Sequence, residues 1–395
     1  MKKSTQEDSR QHNSRLVLRT IYERQEISRV DISRLTGLTR TTVSEIAGRF
    51  IESGLVEEVG AAPSRGGKPA ILLRVADDAR HVIGIDLANN EFRGAIVNLR
   101  GQVLQRLSLP VHERDGEAAL ALVYNLVEQL LADAERPLLG VGIGAPGLMD
   151  PHQGMVRQAV NLDWHNLPLA ELLHERFGLP IYIANDSQAA ALGEFTFANP
   201  ERLTSMIVIQ AGRGVSAGIV IDGQILHGDN AGAGEIGHVC IAEDGERCRC
   251  GNRGCLETFI SSRALRQRAR QAAARQPGSL LNRLAAAPEA LTIDDLLQAY
   301  QDGDPAAQTV IAEAGRTLAI AVTHLASVLN INHIVLAGSL ARFGEGVAEP
   351  VRQRLAHGIL PALARQTHFE LSALGGDIVI LGAASLLLNQ ELGLA

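Results

Sequence analysis

The chemistry of this chain concentrates between Glu235 and Glu257, where one histidine and three cysteines stand at metal-ligand spacing between two carboxylates. The segment runs Glu235-Ile236-Gly237-His238, then Cys248-Arg249-Cys250-Gly251-Asn252-Arg253-Gly254-Cys255-Leu256-Glu257. Zinc takes tetrahedral sets of thiolate and imidazole, and a Cys-x-Cys knuckle with a nearby Cys and an upstream His can wrap one ion within a single loop. The expected ligands are His238, Cys248, Cys250 and Cys255. That set leaves no position open to water, so the ion is expected to brace Glu235, His238 and Glu257 around a shared pocket rather than to hydrolyse anything. All 4 cysteines fall within residues 240–255, which argues against chance clustering. Cys240 is the spare. Two residues from His238 on an expected strand, it could replace a ligand or pack in the core.

The elements around this loop must come from a chain of 395 residues, long enough for two or three domains. Its N-terminus is charged, and no apolar run reaches the length of a membrane span. A soluble cytoplasmic protein without membrane insertion is expected, and reduced thiols available for zinc agree with that compartment. The net charge of −7 is unevenly spread: residues 1–75 hold 13 Lys and Arg against 9 Asp and Glu, the remainder 24 against 35. Only the N-terminal segment is electrostatically fit to approach nucleic acid.

That segment carries three helical patterns. Asn13 can cap a first helix bearing Leu16, Val17, Leu18 and Ile21; Ser28 or Asp31 opens a second with Ile32 and Leu35, ended by Gly37. Thr39 caps a third over residues 40–53, stopped by Gly54, with Val43, Ile46, Ala47 and Phe50 on one face. The other face offers Arg40, Thr41, Thr42, Glu45 and Arg49 to phosphates or base edges. Two expected strands, 55–59 and 70–75, flank the loop Pro63-Ser64-Arg65-Gly66-Gly67-Lys68-Pro69, a basic glycine wing in which Arg65 and Lys68 are the phosphate or minor-groove contacts. The combination predicts a winged helix-turn-helix reader of double-stranded operator DNA.

From His81 onward buried strands alternate with helices. Residues 95–104 and 218–226 each read strand, Gly turn, strand, and each follows an apolar strand running into a loop, at 82–86 and 206–212. A repeat at this separation points to two similar lobes with a cleft between them.

These residues resemble the ROK family (repressors, open reading frames and sugar kinases) of the actin/hexokinase-like fold, and with the winged helix the chain is similar to the NagC- and Mlc-type repressors of that family. The similarity runs from about residue 12 to the C-terminus. It rests on Gly144-Ala145-Pro146-Gly147, on Asn185-Asp186 before Ala189-Ala190-Ala191-Leu192-Gly193-Glu194, on Glu235-x-Gly237-His238, and on the cysteine cluster. The resemblance implies an α/β architecture: a winged helix over residues 1–78, a first ROK lobe over 79–200, and a second over 201–395 whose C-terminal helices could return to the first. It further implies that Asn185, Asp186, Glu235, His238 and Glu257 hydrogen-bond sugar hydroxyls, that backbone from Gly144 to Gly147 approaches the ring, and that Asn161 stands near the sugar, with Trp164 as hinge or core. Carboxylates that accept paired hydroxyls suit a pyranose, and His238 can face zinc with one ring nitrogen and sugar with the other.

A ROK kinase needs two phosphate-cradling glycine loops. Here the first reads Asp86-Leu87-Ala88-Asn89-Asn90 in place of Gly-Gly-Thr, and the second Gly212-Arg213-Gly214-Val215-Ser216-Ala217-Gly218. Side chains stand where bare backbone must face phosphate. Asp186 keeps the place of the family's general base, yet a base without a bound donor accelerates nothing. The expected function is therefore a sugar-responsive regulator that is not an enzyme. It would be a repressor, a homodimer or homotetramer, released from its operator by a sugar or sugar phosphate. The alternatives are a DNA-tethered ATP-dependent sugar kinase and a repressor titrated by a protein partner. Arg213 could favour a phosphorylated sugar, but a surface salt bridge is its plainer expectation.

Overall fold

The computed structural model describes residues 6–61, 69–87, 90–112 and 114–394. The N-terminal unit opens with α1 (Gln6–Arg24), a two-residue strand β1 (Ile27–Ser28), α2 (Arg29–Thr36) and α3 (Arg40–Glu52), followed by β2 (Val56–Ala61) and β3 (Ile71–Val75). Asn13 lies inside α1, which begins seven residues earlier, so it caps nothing; helix-compatible residues run unbroken through it. Ser28, not Asp31, is the cap of α2: its hydroxyl accepts the Asp31 N–H, and Gly37 closes the helix at φ +71°. Thr39 accepts the Thr42 N–H at the start of α3. Strand β3 pairs with both β1 and β2, completing a winged helix. The wing loop with Arg65 and Lys68 lies outside the described residues.

The body holds two five-stranded sheets built to one plan. In the first, β4 (His81–Asp86), β5 (Glu91–Asn98) and β6 (Val103–Pro110) form a meander, α4 (Gly116–Ala132) crosses over, and β7 (Leu138–Ala145) lies parallel to β4. A small antiparallel sheet follows, β8 (Leu148–Asp150), β9 (Met155–Ala159) and β10 (Trp164–Leu167), then α5 (Leu169–Phe177) and β11 (Ile181–Asn185), giving the order β11-β7-β4-β5-β6. Helix α6 (Asp186–Phe197) leads to the second sheet, whose meander is β12 (Met206–Ala211), β13 (Val215–Ile221) and β14 (Gln224–Ile225). After the cysteine loop come α7 (Glu257–Ile260), α8 (Ser262–Arg275), α9 (Leu281–Leu284), α10 (Ile293–Gln301) and the long crossover α11 (Pro305–Leu329). Strand β15 (His333–Ala337), α12 (Glu345–Gly358), α13 (Pro361–Ala364), β16 (His368–Leu371) and α14 (Ile378–Leu387) complete the chain. The order β14-β13-β12-β15-β16 repeats the first sheet, so the strand-Gly-strand echo in the sequence is a structural duplication.

Two helices join the halves. Helix α14 lies so close to the first sheet that a Cβ on Gly84 or Gly142 would fall 2.2 or 1.8 Å from the carbonyl oxygens of Ile380 and Ala383. It meets α6 equally closely: a Cβ on Gly382 would be 1.6 Å from the Ala189 carbonyl oxygen. Helix α6 in turn backs onto β13, where Gly218 admits the Ser187 carbonyl. These glycines are needed for contact between backbones, not for turns.

The DNA reader is not hung on a loose tether. Val17, Leu18 and Ile21 of α1 share one buried cluster with Val82, Val97, Leu99, Leu387 and Leu394 of the body. Tyr22 donates to the Leu99 carbonyl at 2.8 Å and stacks beneath the Arg100 guanidinium. No helix among the described residues is long and apolar enough to cross a membrane.

Candidate functional site

The cysteine loop folds back as a hairpin that leads into the start of α7. The Ile241 N–H donates to the Gly254 carbonyl at 2.7 Å and the Cys248 N–H to the Asn252 carbonyl at 2.8 Å. Gly251 (φ +98°) and Gly254 (φ +63°) supply the left-handed turns that bring Cys248, Cys250 and Cys255 together. A Cβ at Gly254 would also strike the Ala242 carbonyl at 1.6 Å.

His238, Cys248, Cys250 and Cys255 present ligand atoms that all lie within 4.8 Å of one another. The Sγ atoms of Cys250 and Cys255 are 3.7 Å apart, as are Cys248 Sγ and His238 Nδ1. Metal–sulfur bonds of about 2.3 Å in a tetrahedron give an edge of about 3.8 Å, so the set fits one tetrahedral ion. Burial and the neighbouring thiols push the Cys255 thiol up to about 12. Cys240 is exposed and outside this set, contrary to both expectations for it: His238 sits on a helical turn, not a strand, and the backbone bridge from Cys240 to Cys255 turns the spare thiol outward.

On the other side of His238, Nε2 lies 3.9 Å from Glu235 Oε2. Glu235 is raised above the ordinary carboxylate range, first by burial, with His238 opposing and Glu257 reinforcing the shift. Glu257 Oε2 accepts the Val215 N–H at 3.2 Å and faces Gly214, whose missing side chain leaves it room. Thus the His238–cysteine cluster and two carboxylates share one wall.

Asn185 ends β11 and caps α6, its Oδ1 accepting both the N–H and the hydroxyl of Ser187 while its Nδ2 donates to the Gly147 carbonyl at 2.8 Å. Asp186 opens α6 beside it. Burial, then the carboxylates of Asp86 and Glu235, push Asp186 up to about 7. Asp186, Glu235, His238 and Glu257 therefore form one electrostatic group. Gly147 (φ +97°) belongs to it through Asn185, whereas Gly144 lies within β7 and makes room for Val379 of α14. Asn161 is exposed on the turn after β9 and its side chain hydrogen-bonds no described residue; Trp164 is core, donating to the Gly116 carbonyl.

One pairing was hidden in the sequence. Asp86, fully buried, is held by the Arg93 guanidinium, which also donates to the Gly376 carbonyl at 2.9 Å. Only antiparallel register between β4 and β5, which sets Asp86 opposite Arg93, could have revealed it. Ala88 and Asn89 of the neighbouring loop lie outside the described residues. Arg213 makes no salt bridge among the described residues: it is exposed, and its nearest charged influence is Arg249, so the expected ion pair is absent.

On the DNA reader, Arg40, Thr41, Glu45 and Arg49 are exposed along α3, while Thr42 is half-buried by its hydroxyl contact with Thr39. Neither Arg40 nor Arg49 is paired with a carboxylate among the described residues, unlike Arg29, Arg34 and Arg74. Ser44 shares the exposed face and was missed, though its spacing from Arg40 and Thr41 marks it.

The ROK family model matches residues 82–390, and a winged helix-turn-helix DNA-binding model matches residues 10–57. The chain belongs to the ROK family. Among ROK relatives, it is 32% identical over 392 residues to the xylose repressor of Caldicellulosiruptor bescii, with 97% of each chain covered. It is also 32% identical over 317 residues to a glucokinase of Halalkalibacterium halodurans, covering 79% of this chain and 96% of that one. A solved ROK family transcriptional regulator, described as a homolog of the E. coli MLC protein, superposes with a TM-score of 0.84 at 31% identity over 98% of both chains. This ROK chain thus joins a winged helix-turn-helix to a two-lobed kinase-like body.

Proposed function

We propose that this protein is a sugar-responsive, DNA-binding repressor of carbohydrate-utilisation genes, working in the cytoplasm as a homodimer or homotetramer. The observation that carries this reading is the shared core of α1 and the body, which packs a reader whose Arg40 and Arg49 have no carboxylate partner among the described residues against the first lobe, where β11 ends at Asn185. The full-length resemblance to a protein named xylose repressor supports it. We divide the chain functionally at about residues 78 and 200, with the C-terminal helix returning to the first lobe.

In this reading Asn185, Asp186, Glu235, His238 and Glu257 receive the sugar hydroxyls, with Gly147 and Asn161 at the margin. Zinc, when bound by His238, Cys248, Cys250 and Cys255, would fix the loop and the orientation of the His238 ring; Glu235 and Glu257 do the recognising. Arg40, Thr41, Thr42, Glu45 and Arg49 face the major groove, and the wing carries Arg65 and Lys68 to the backbone. Sugar binding shifts the lobes toward an arrangement in which paired readers no longer match their half-sites.

The kinase reading draws on Asp186, since a carboxyl near neutrality suits a general base. Against it stand the two loops that a kinase would use to cradle phosphate, which read Asp86-Leu87-Ala88-Asn89-Asn90 and Gly212-Arg213-Gly214-Val215-Ser216-Ala217-Gly218 and so put side chains where bare backbone must face phosphate. A coupled assay with ATP and a panel of hexoses separates the readings: no sugar-dependent ADP is expected, and turnover lost in Asp186→Asn would establish the enzyme. A thermal-shift screen of sugars and sugar phosphates is expected to raise the melting temperature for one sugar class; no shift with any of them would refute the sensor.

A further inference from the structure

Beyond α14 the chain makes one wide turn, Leu388–Leu392, in which the helix slackens to π geometry before Gly393 ends it at φ +67°. The closing bonds reach back past the α spacing: the Gly393 N–H is shared between the Asn389 and Leu388 carbonyls, and the Leu394 N–H reaches the Leu388 carbonyl at 3.0 Å. A π turn takes up one residue more than an α turn, so exchange between the two moves everything beyond by about 1.5 Å and about 100° around the axis.

What it touches gives it meaning. Leu388 and Leu394 are buried in the cluster formed by Val17, Leu18 and Ile21 of α1, and the Arg15 guanidinium donates to the Gln390 carbonyl at 2.7 Å. Packed against the same cluster, the Tyr182 hydroxyl donates to Glu391 Oε1 at 2.6 Å. Tyr182 lies on β11, three residues before Asn185. The pocket reaches the same turn by a second route, because α6 begins at Asp186 and is locked backbone to backbone with α14 through Gly193 and Gly382.

We propose that the turn Leu388–Leu394 is the joint through which the state of the Asn185–Asp186 pocket is transmitted to the DNA reader, with Arg15, Tyr182 and Glu391 as its positioning residues. The proposal rests on the repressor reading above. None of the three belongs to the sugar pocket or to the DNA-facing surface of α3. Each removes one tie when substituted and leaves both binding surfaces intact.

The test uses the full chain, its operator, and D-xylose and D-glucose as probes. In Arg15→Ala and Tyr182→Phe, sugar affinity and sugar-free operator affinity are expected within about twofold of wild type, while the factor by which sugar weakens operator binding falls at least tenfold. An unchanged factor overturns the proposal. A sugar-free readout separates it from the functional reading: hydrogen exchange at Ser187–Ala190, in the first turn of α6, is expected to change at least threefold in Arg15→Ala, although Arg15 hydrogen-bonds only the C-terminal turn. If neither sugar binds, the functional reading fails for these sugars and the exchange result alone decides, unaltered rates at α6 refuting the joint.

Discussion

At the scale of single residues, the pocket's behaviour turns on carboxyls that the fold holds away from water. Asp186 keeps its proton in the folded state up to about pH 7 but releases it near its ordinary value of 3.8 when unfolded. Its contribution to stability is therefore present below that lower value and lost as pH rises toward 7. Asp186→Asn cannot titrate, so its melting temperature is expected to gain on wild type between pH 5 and pH 8; a constant difference would place Asp186 in a wetter setting. Arg213 and Arg249, with no counter-ion between them among the described residues, are available to an anionic group on the effector. Arg213→Ala is expected to cut affinity for a 6-phosphate about tenfold relative to the free sugar, measured by calorimetry; an unchanged preference would remove Arg213 from recognition. The convergence of His238, Cys248, Cys250 and Cys255 was legible from spacing alone, because three thiols and an imidazole crowded into one short loop can close on a single tetrahedral site. The Asp86–Arg93 pair was not, because it depends on strand register across seven residues of sequence.

At the scale of elements, the helix caps were readable where a hydroxyl precedes an apolar period, as at Ser28 and Thr39, and unreadable where charged residues simply extend a helix, as before Asn13. The close approach of α14 to α6 and the first sheet left no local signature: Gly382 reads as a weak point in an apolar helix, and only the packing gives it a purpose. Replacing a helical glycine by alanine ordinarily gains about 1 kcal/mol. Gly382→Ala is expected to reverse that sign and lose about 3 kcal/mol or more by urea denaturation, since the new methyl meets a backbone carbonyl. A neutral or stabilising result would mean the helices stand farther apart. On α3, Arg40→Ala is expected to weaken operator binding across sequences and lower its salt dependence by about one unit of log–log slope. Unchanged slope and affinity would take Arg40 off the interface.

At the scale of the whole molecule, the sequence showed a repeat and a reader but not their fusion. The duplicated sheets follow from an echo of strand-Gly-strand patterns, whereas the shared core of α1, α14 and the first lobe brings together residues from the two ends of the chain, which no local pattern encodes. That core packs the reader against the body, so a rearrangement of the body at this seam would be felt by the reader. Removing the metal should act through the same connection: Cys248→Ser is expected to abolish stoichiometric zinc in the purified protein and blunt the sugar response, and full response without metal would separate the two. The most direct measurement is a binding square on the intact protein, with operator affinity taken with and without saturating sugar and sugar affinity taken with and without operator. Both pairs should change by one common factor. A factor of one, with both ligands bound at once, would contradict the coupling of pocket to reader.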